Sequence, residues 1–161
     1  MYTPPTVLRT RSPAAGFRGV YEPAATLDHG QELTHLHYLS CVPLLQEVSQ
    51  PGLLTLARAG RWREFRRGDF LFLQGDPAQS AFVVCTGWID IVLNSADGRE
   101  LTITQMRDGD LFGENALINH LPRSTSAGAG APSGMLAIPR PAFMAVLDEE
   151  SRLVRRMGGI A

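Results

Sequence analysis

With 161 residues, 44% of them hydrophobic, the chain has the length of one domain and enough apolar surface for one core. Its formal net charge of −1 excludes both a global basic field drawn to nucleic acid and an acidic field drawn to basic partners. No run of 18 apolar residues offers a membrane span, and the N-terminus lacks an apolar secretory segment. Two cysteines far apart, Cys41 and Cys85, fit a reducing cytoplasm better than a disulfide scaffold.

Residues 1–28 are rich in proline, threonine and alanine without sustained periodicity, which predicts a flexible N-terminal tail. Residues 29–60 change character and predict N-terminal helices. Leu33, Leu36 and Leu39 recur at spacings of three, and Pro43 ends or bends that helix. Ser49 then stands as an N-cap before a second helix, with Pro51 in its first turn. Leu53, Leu54 and Ala57 are expected to share its buried face, and Gly60 to stop it.

From residue 61 the pattern turns to short β-rich runs. Glycines at 68, 75, 87, 98 and 109 punctuate them at intervals of seven to twelve residues, the signature of an all-β sandwich or barrel. Asp97-Gly98 between DIVLN and RELTITQ is the strongest hairpin signal. GMLAI, 134–138, predicts a last strand. Pro141 opens a helix with Phe143, Val146 and Leu147 on one face. Leu153, Val154 and Met157 extend that face across a kink near 148–151, before Gly158-Gly159.

Between these elements lies FGENALINHLPRSTSAGA, which starts at Phe112. A short helix from Glu114 through Ile118 would present first-turn amides that lack intrahelical partners, and Gly113 would let a ligand approach the backbone. Arg123 follows Pro122 and precedes Ser124, Thr125 and Ser126. A guanidinium beside small residues can reach into a cavity and match phosphate oxygens. Each feature also has a plain reading, as a surface turn or a solvated arginine. Together they offer amides, one cation, one carboxylate and hydroxyls, which suits a ligand with one phosphate charge and a free sugar hydroxyl. A triphosphate would call for a GxxxxGK[ST] loop, which the sequence does not contain.

Other chemistries find less support. His35 and His37 point apart on a helix, and His29 and His120 complete no metal-ligand spacing, so no metal is expected. No G-x-S-x-G nucleophile elbow occurs, and no catalytic residue is assigned. Arg61, Arg63, Arg66 and Arg67 read as a solvated strand face, with a docking patch as the alternative.

Two blocks carry a family resemblance. The first is Gly68-Asp69-Phe70-Leu71-Phe72-Leu73-Gln74-Gly75-Asp76, followed by Ala81–Val84 and Gly87–Ile91. The second is Gly109-Asp110-Leu111-Phe112-Gly113-Glu114, then Ala116-Leu117, then Pro122-Arg123-Ser124. In order and spacing, over roughly residues 38–157, the chain resembles the cyclic nucleotide-binding domain of catabolite-activator and nitrate-regulator transcription factors, cyclic nucleotide-dependent kinases and gated channels. The resemblance implies a mainly β fold, a double-stranded β-helix or jelly-roll-like β-roll of about eight strands flanked by helices. Residues 61–161 would form that roll with short C-terminal helices. Glu114 would accept the ribose 2′-hydroxyl and Arg123 would pair with the cyclic phosphate. Gly113, Asn115, Ala116, Ser124 and Thr125 would complete the site.

This sequence departs from the family pattern at Asn115, usually apolar, at Thr125, usually alanine, and in the thin strand STSAGAGAPSG. The resemblance implies a non-enzymatic, cytoplasmic sensor module with cyclic AMP as first expected ligand and cyclic GMP as second. Its partner is the cyclic nucleotide, with a protein partner or a homodimer contacted through the flanking helices. The alternatives are a degenerate roll serving as an interaction module, or the ligand-binding fragment of a dimeric transcription regulator. No helix-turn-helix follows the roll, so DNA binding by this chain is not expected.

Overall fold

The computed structural model describes residues 27–156, with side chains through residue 151. Residues 1–26 of the tail expected over residues 1–28 lie outside the described residues, as do Met157, Gly158-Gly159 and the side chains of Leu153 and Val154, whereas Asp28 caps the first helix.

Helix α1, His29–Ser40, begins on a capping box. The Asp28 carboxylate accepts the Gln31 N–H at 2.8 Å, and the Gln31 side chain accepts the Asp28 N–H at 2.9 Å. The helix ends at Cys41, and a 3-10 turn at Pro43–Leu45 follows. The expected leucine face is not the buried one. A three-residue step falls short of a helical turn by about 60°, so Leu33 and Leu39 diverge by about 120°. Leu33 is 52% exposed, while Leu39 and His35 are buried. The His35 ring, through Nδ1, bonds to the Ala57 carbonyl of the next helix at 2.8 Å.

Helix α2, Gln50–Ala59, starts at Ser49 as predicted, with the Ser49 hydroxyl accepting the Gly52 N–H at 3.2 Å. It buries Leu53, Leu56 and Ala57, and Leu54 stays half-buried, so the face is rotated from the expected one. Gly60 ends the helix in extended conformation, φ −63° and ψ 144°, and feeds the first strand directly.

Eight strands follow: β1 Arg61–Phe65, β2 Phe70–Phe72, β3 Ser80–Thr86, β4 Trp88–Asn94, β5 Glu100–Arg107, β6 Leu111–Phe112, β7 Ser126–Ala129 and β8 Ser133–Pro139. They form two four-stranded antiparallel sheets, ordered β1-β8-β3-β6 and β2-β7-β4-β5. This is the expected β-roll. Each of the five turn glycines read from the sequence, Gly68, Gly75, Gly87, Gly98 and Gly109, has positive φ, which is why glycine recurs at those turns. The Asp97-Gly98 turn joins β4 to β5, with Leu93 opposite Leu101 and, beyond a register shift between Ile91 and Val92, Ile89 opposite Met106. Donation from the Ser95 hydroxyl and the Arg99 backbone N–H holds the Asp97 carboxyl below the usual carboxylate range.

Alternation along the strands sorts side chains into two cores. Leu71, Phe72, Phe82, Ile89, Ile91 and Phe112 fill the inside of the roll. Val83, Cys85, Leu136 and Ile138 face the other way, where Leu39, Leu56, Phe143 and Val146 from the helices cover them. The thin strand β7 is completely buried, with Ala127 opposite Phe72 and Gly128 opposite Phe70. Small residues there make room for the rings of the neighbouring strand. In β1, Arg61, Arg63 and Phe65 share a half-buried face while Trp62 and Glu64 are exposed, so the four arginines do not form one solvated face. Arg61 donates to the Ala59 carbonyl at 2.8 Å.

Helix α4, Arg140–Arg156, runs without a break where the sequence suggests a kink. No proline or glycine interrupts it after Pro141, and Glu150 in the polar stretch accepts the Ser49 hydroxyl at 3.0 Å, tying α4 to α2. Phe143 and Val146 are buried as expected, and Leu147 is half-buried. The remaining helix, α3, belongs to the site.

Candidate ligand-binding site

Helix α3 spans Glu114–Asn119. Its N-cap is Gly113 at φ 80°, a left-handed conformation, and no side chain caps the first turn. His120, also left-handed at φ 55°, ends the helix, and the Leu121 N–H returns to the Ala116 carbonyl at 3.0 Å. The chain then meets the turn between β2 and β3. The Arg123 N–H donates to the Asp76 carbonyl and the Gly75 N–H donates to the Arg123 carbonyl, both at 2.8 Å. Thus the Gln74-Gly75-Asp76 turn of the first sequence block fixes the backbone of the arginine in the second.

The Arg123 side chain is 5% exposed. Its Nη1 donates to the Gly113 carbonyl at 2.7 Å and its Nη2 to the Ser80 carbonyl at 2.5 Å. The guanidinium lies 4.1 Å from the centre of the Phe72 ring. The sequence predicts an arginine reaching into a cavity. In the structure the guanidinium forms part of the cavity wall and is braced by two carbonyls and an aromatic face.

A cavity of about 260 Å³ opens between this cassette and the roll. All seven anticipated residues line it: Gly113, Glu114, Asn115, Ala116, Arg123, Ser124 and Thr125. Phe72, Ile91, Met106 and Leu121 contribute to the apolar part of its wall, together with Leu111, Phe112 and Pro122, and sequence reasoning missed them as lining residues. Only the alternation of β4 and its pairing with β5 could have indicated Ile91 and Met106. Ser80 was missed too, because it contributes a backbone oxygen, which carries no sequence signal.

The lining residues differ in what they offer. Among the described residues, no hydrogen bond or ion pair engages the Glu114 carboxylate, which is half-buried at the mouth of α3. The Asn115 side chain instead accepts from the Asn119 amide at 2.6 Å, so its contribution to the site is backbone. Ser124 is exposed and Thr125 half-buried, and both residues line the cavity.

A larger open hollow of about 600 Å³ lies by β1 and the β7–β8 turn, lined by Glu64, Arg66, Asp69 and Thr86 among others. Its polar groups serve the turns: Asp69 accepts the Arg66 N–H at 2.8 Å and Thr86 accepts the Gly134 N–H at 2.9 Å. The smaller cavity has the convergent charges and the apolar wall expected of a ligand site. Among the described residues no three His, Cys, Asp or Glu side chains are placed to hold a metal, and no helix is long and apolar enough to cross a membrane.

A two-sheet roll that holds a short helix and a braced arginine against one cavity has the form of a ligand-binding domain. Comparison with known proteins makes this specific. The cyclic nucleotide-binding domain profile matches residues 62–150. The chain belongs to the cyclic nucleotide-binding domain family.

The cAMP-dependent protein kinase regulatory subunit of Colletotrichum orbiculare is 30% identical over 119 residues, covering 74% of this chain and 30% of the subunit. Human patatin-like phospholipase domain-containing protein 6 is 31% identical over 123 residues, covering 71% of this chain and 9% of that protein. The regulatory domain of Toxoplasma gondii PKA, solved with cAMP, superimposes with a TM-score of 0.71 at 21% identity, over 80% of this chain and 50% of that one. The chain thus spans less than a third of these two curated relatives, and the 9% match carries no lipase chemistry to it.

Proposed function

We propose that this chain is a non-enzymatic sensor that binds cyclic AMP in the cavity between α3 and the roll. The observation that carries the reading is the meeting, on one 260 Å³ cavity, of an unengaged Glu114 carboxylate and a braced Arg123 guanidinium. The preference for cyclic AMP over cyclic GMP rests on the kinase regulatory subunits it resembles.

Arg123 donates to the cyclic phosphate, and the first-turn amides of α3 face the same charge. Glu114 accepts the ribose 2′-hydroxyl. Ser124 and Thr125 supply hydroxyls near the sugar-phosphate, and Ile91 and Met106 give the base apolar contact. No step transfers a group, because the site is arranged to hold charge and hydroxyl rather than to break a bond. Binding draws the cassette toward the roll and biases the helices packed on β3 and β8, which is where a protein partner or second copy would read the change. The bias equals the difference in ligand affinity between the two helix arrangements.

Calorimetric titration with cyclic AMP and cyclic GMP tests the reading. Tighter binding of cyclic AMP supports it. Equal or tighter binding of cyclic GMP overturns the preference and leaves the cavity assigned. A buried arginine with two carbonyl partners also suits a roll that has no ligand and acts only as an interaction module. In that case neither nucleotide gives heat at millimolar concentration.

A further inference from the structure

We propose that the open edge of β5 is a homodimer interface, on which a second copy of this chain lays its own β5 antiparallel to the first. β5, Glu100–Arg107, is the longest strand of the roll and ends the sheet order β2-β7-β4-β5. Among the described residues it pairs with β4 alone. All of it but Met106 is exposed, with Leu101 at 63% and Ile103 at 53%. Such an edge offers a row of backbone N–H and C=O groups to another strand, and lysine, proline or a short length usually blunts it. ELTITQMR has no lysine or proline and is not short. It has a bulge instead.

The bulge makes the strand complementary to itself. Ile91 faces Thr104 and Val92 faces Thr102, so Ile103 is the extra residue. On a regular strand, residues an odd number of positions apart lie on opposite faces. Glu100 lies opposite Asn94 and Arg107 opposite Trp88, and those two β4 residues share a face, so the bulge brings both charges to the outer face of the sheet. Leu101 and Met106, opposite Leu93 and Ile89, share the inner face, since Ile89 points into the roll. A second β5, related by a two-fold axis between Ile103 and Thr104, then pairs like face with like face. Glu100 meets the second copy's Arg107, and Leu101 meets the second copy's Met106, each pair formed twice by symmetry. Arg107 is held for this role. Its guanidinium lies 5.2 Å from the centre of the Trp88 ring, and Nη2 donates to Gln105 Oε1 at 2.6 Å, while a guanidinium has further N–H groups for a carboxylate. The pairing needs no nucleotide, so it stands or falls separately from the role of the cavity.

Sedimentation equilibrium on the full chain without nucleotide tests the proposal. It compares wild type, Glu100→Arg, Arg107→Glu and an equimolar mixture of the two variants. One strand pair is a small interface, so wild type should dimerise at roughly 0.1 mM. Each variant alone sets like charges opposite one another at both ends of the pair and associates about tenfold more weakly. The mixture recovers the wild-type association, because opposite charges then meet at both ends. Wild type that stays monomeric at about 1 mM, well above the range expected of even a weak specific contact, overturns the proposal. So does a dimer of equal strength in all samples, or a mixture no tighter than either variant.

Melting curves identify any charge variant that fails to fold, and hydrogen exchange of the wild type then decides. Peptides covering 100–107 should exchange more slowly at the dimerising concentration than when dilute, because outward amides of the edge gain partners. Equal exchange at both concentrations, or slowing confined to the helices, overturns the edge pairing. Ile103→Lys adds a check on the exposed bulge residue, placing a charge beside the axis in both copies. Association about tenfold weaker in the folded variant supports the interface, and unchanged association overturns it.

Discussion

Arg123 and Gly113 hold each other in place: the guanidinium Nη1 donates to the Gly113 carbonyl at 2.7 Å, and a Cβ built on Gly113 would stand 2.7 Å from that same nitrogen. The glycine is required twice, by its φ of 80° and by the arginine lying against its α-carbon. This contact joins the start of α3 to the wall of the cavity.

Replacing Arg123 with leucine is expected to weaken cyclic nucleotide binding by about tenfold to two-hundredfold, the loss of one charge-assisted contact. It also removes a donor from the buried Ser80 carbonyl and from the part-buried Gly113 carbonyl, so stability falls by about 1.5–3 kcal/mol. Calorimetry and urea unfolding separate the two effects. A variant with wild-type affinity removes Arg123 from the ligand site.

Gly113→Ala should cost about 1–2 kcal/mol for a left-handed backbone, plus the displacement of Arg123. Gly98→Ala is the internal comparison. Gly98 has φ 86°, yet within 4 Å a Cβ there meets nothing. Thermal melts should show Gly113→Ala less stable than Gly98→Ala, and only the former should lose nucleotide affinity. Equal losses in both melts would show that the arginine contact carries no cost.

Glu114→Gln changes one oxygen to an amide on a half-buried side chain with no described partner, so stability should move by no more than about 0.5 kcal/mol. Affinity for cyclic AMP should drop while affinity for 2′-deoxy cyclic AMP stays as in wild type. The ratio of the two affinities, measured by competition, reads the ribose contact directly. A ratio unchanged by the substitution removes Glu114 from that role.

Cys85 provides a pH-dependent readout of the helix-covered core. Burial pushes its thiol up to about 12, against a smaller opposing pull from the Leu136 backbone. The folded state therefore keeps a proton that the unfolded chain gives up near pH 9. Its stabilising contribution is intact below pH 9 and declines by about 1.4 kcal/mol per pH unit between about 9 and 12. Urea titrations of wild type and Cys85→Ala from pH 8 to 10.5 should diverge, the wild type losing stability faster. At neutral pH a thiol reagent should label exposed Cys41 at once and Cys85, 7% exposed, only on unfolding.

Much of this molecule is legible in its sequence because turns announce themselves. A positive φ restricts residue choice sharply, so the five turn glycines and Gly113 mark most strand ends and the start of α3 in the sequence itself. Caps were uneven. Ser49 was visible beside Pro51, whereas the capping box of Asp28 and Gln31 hid at the edge of a segment read as tail. Helix faces were read less well. Leucines at spacings of three look periodic but rotate away from one another, and His35, not Leu33, faces inward. The seven anticipated residues that line the cavity could be named because they are consecutive or nearly so. Ser80, Ile91 and Met106 reach the same cavity or its arginine from other strands, and their contribution depends on sheet pairing that local pattern does not encode. The bracing of Arg123 is a tertiary fact of the same kind.

The most direct measurement is an isothermal titration of the full chain with cyclic AMP, run in parallel on wild type and Arg123→Leu after both are shown to be folded. Saturable binding to one site per chain is expected in the wild type, weakened at least tenfold in the variant. Absence of heat from the wild type at millimolar cyclic AMP and cyclic GMP would contradict it.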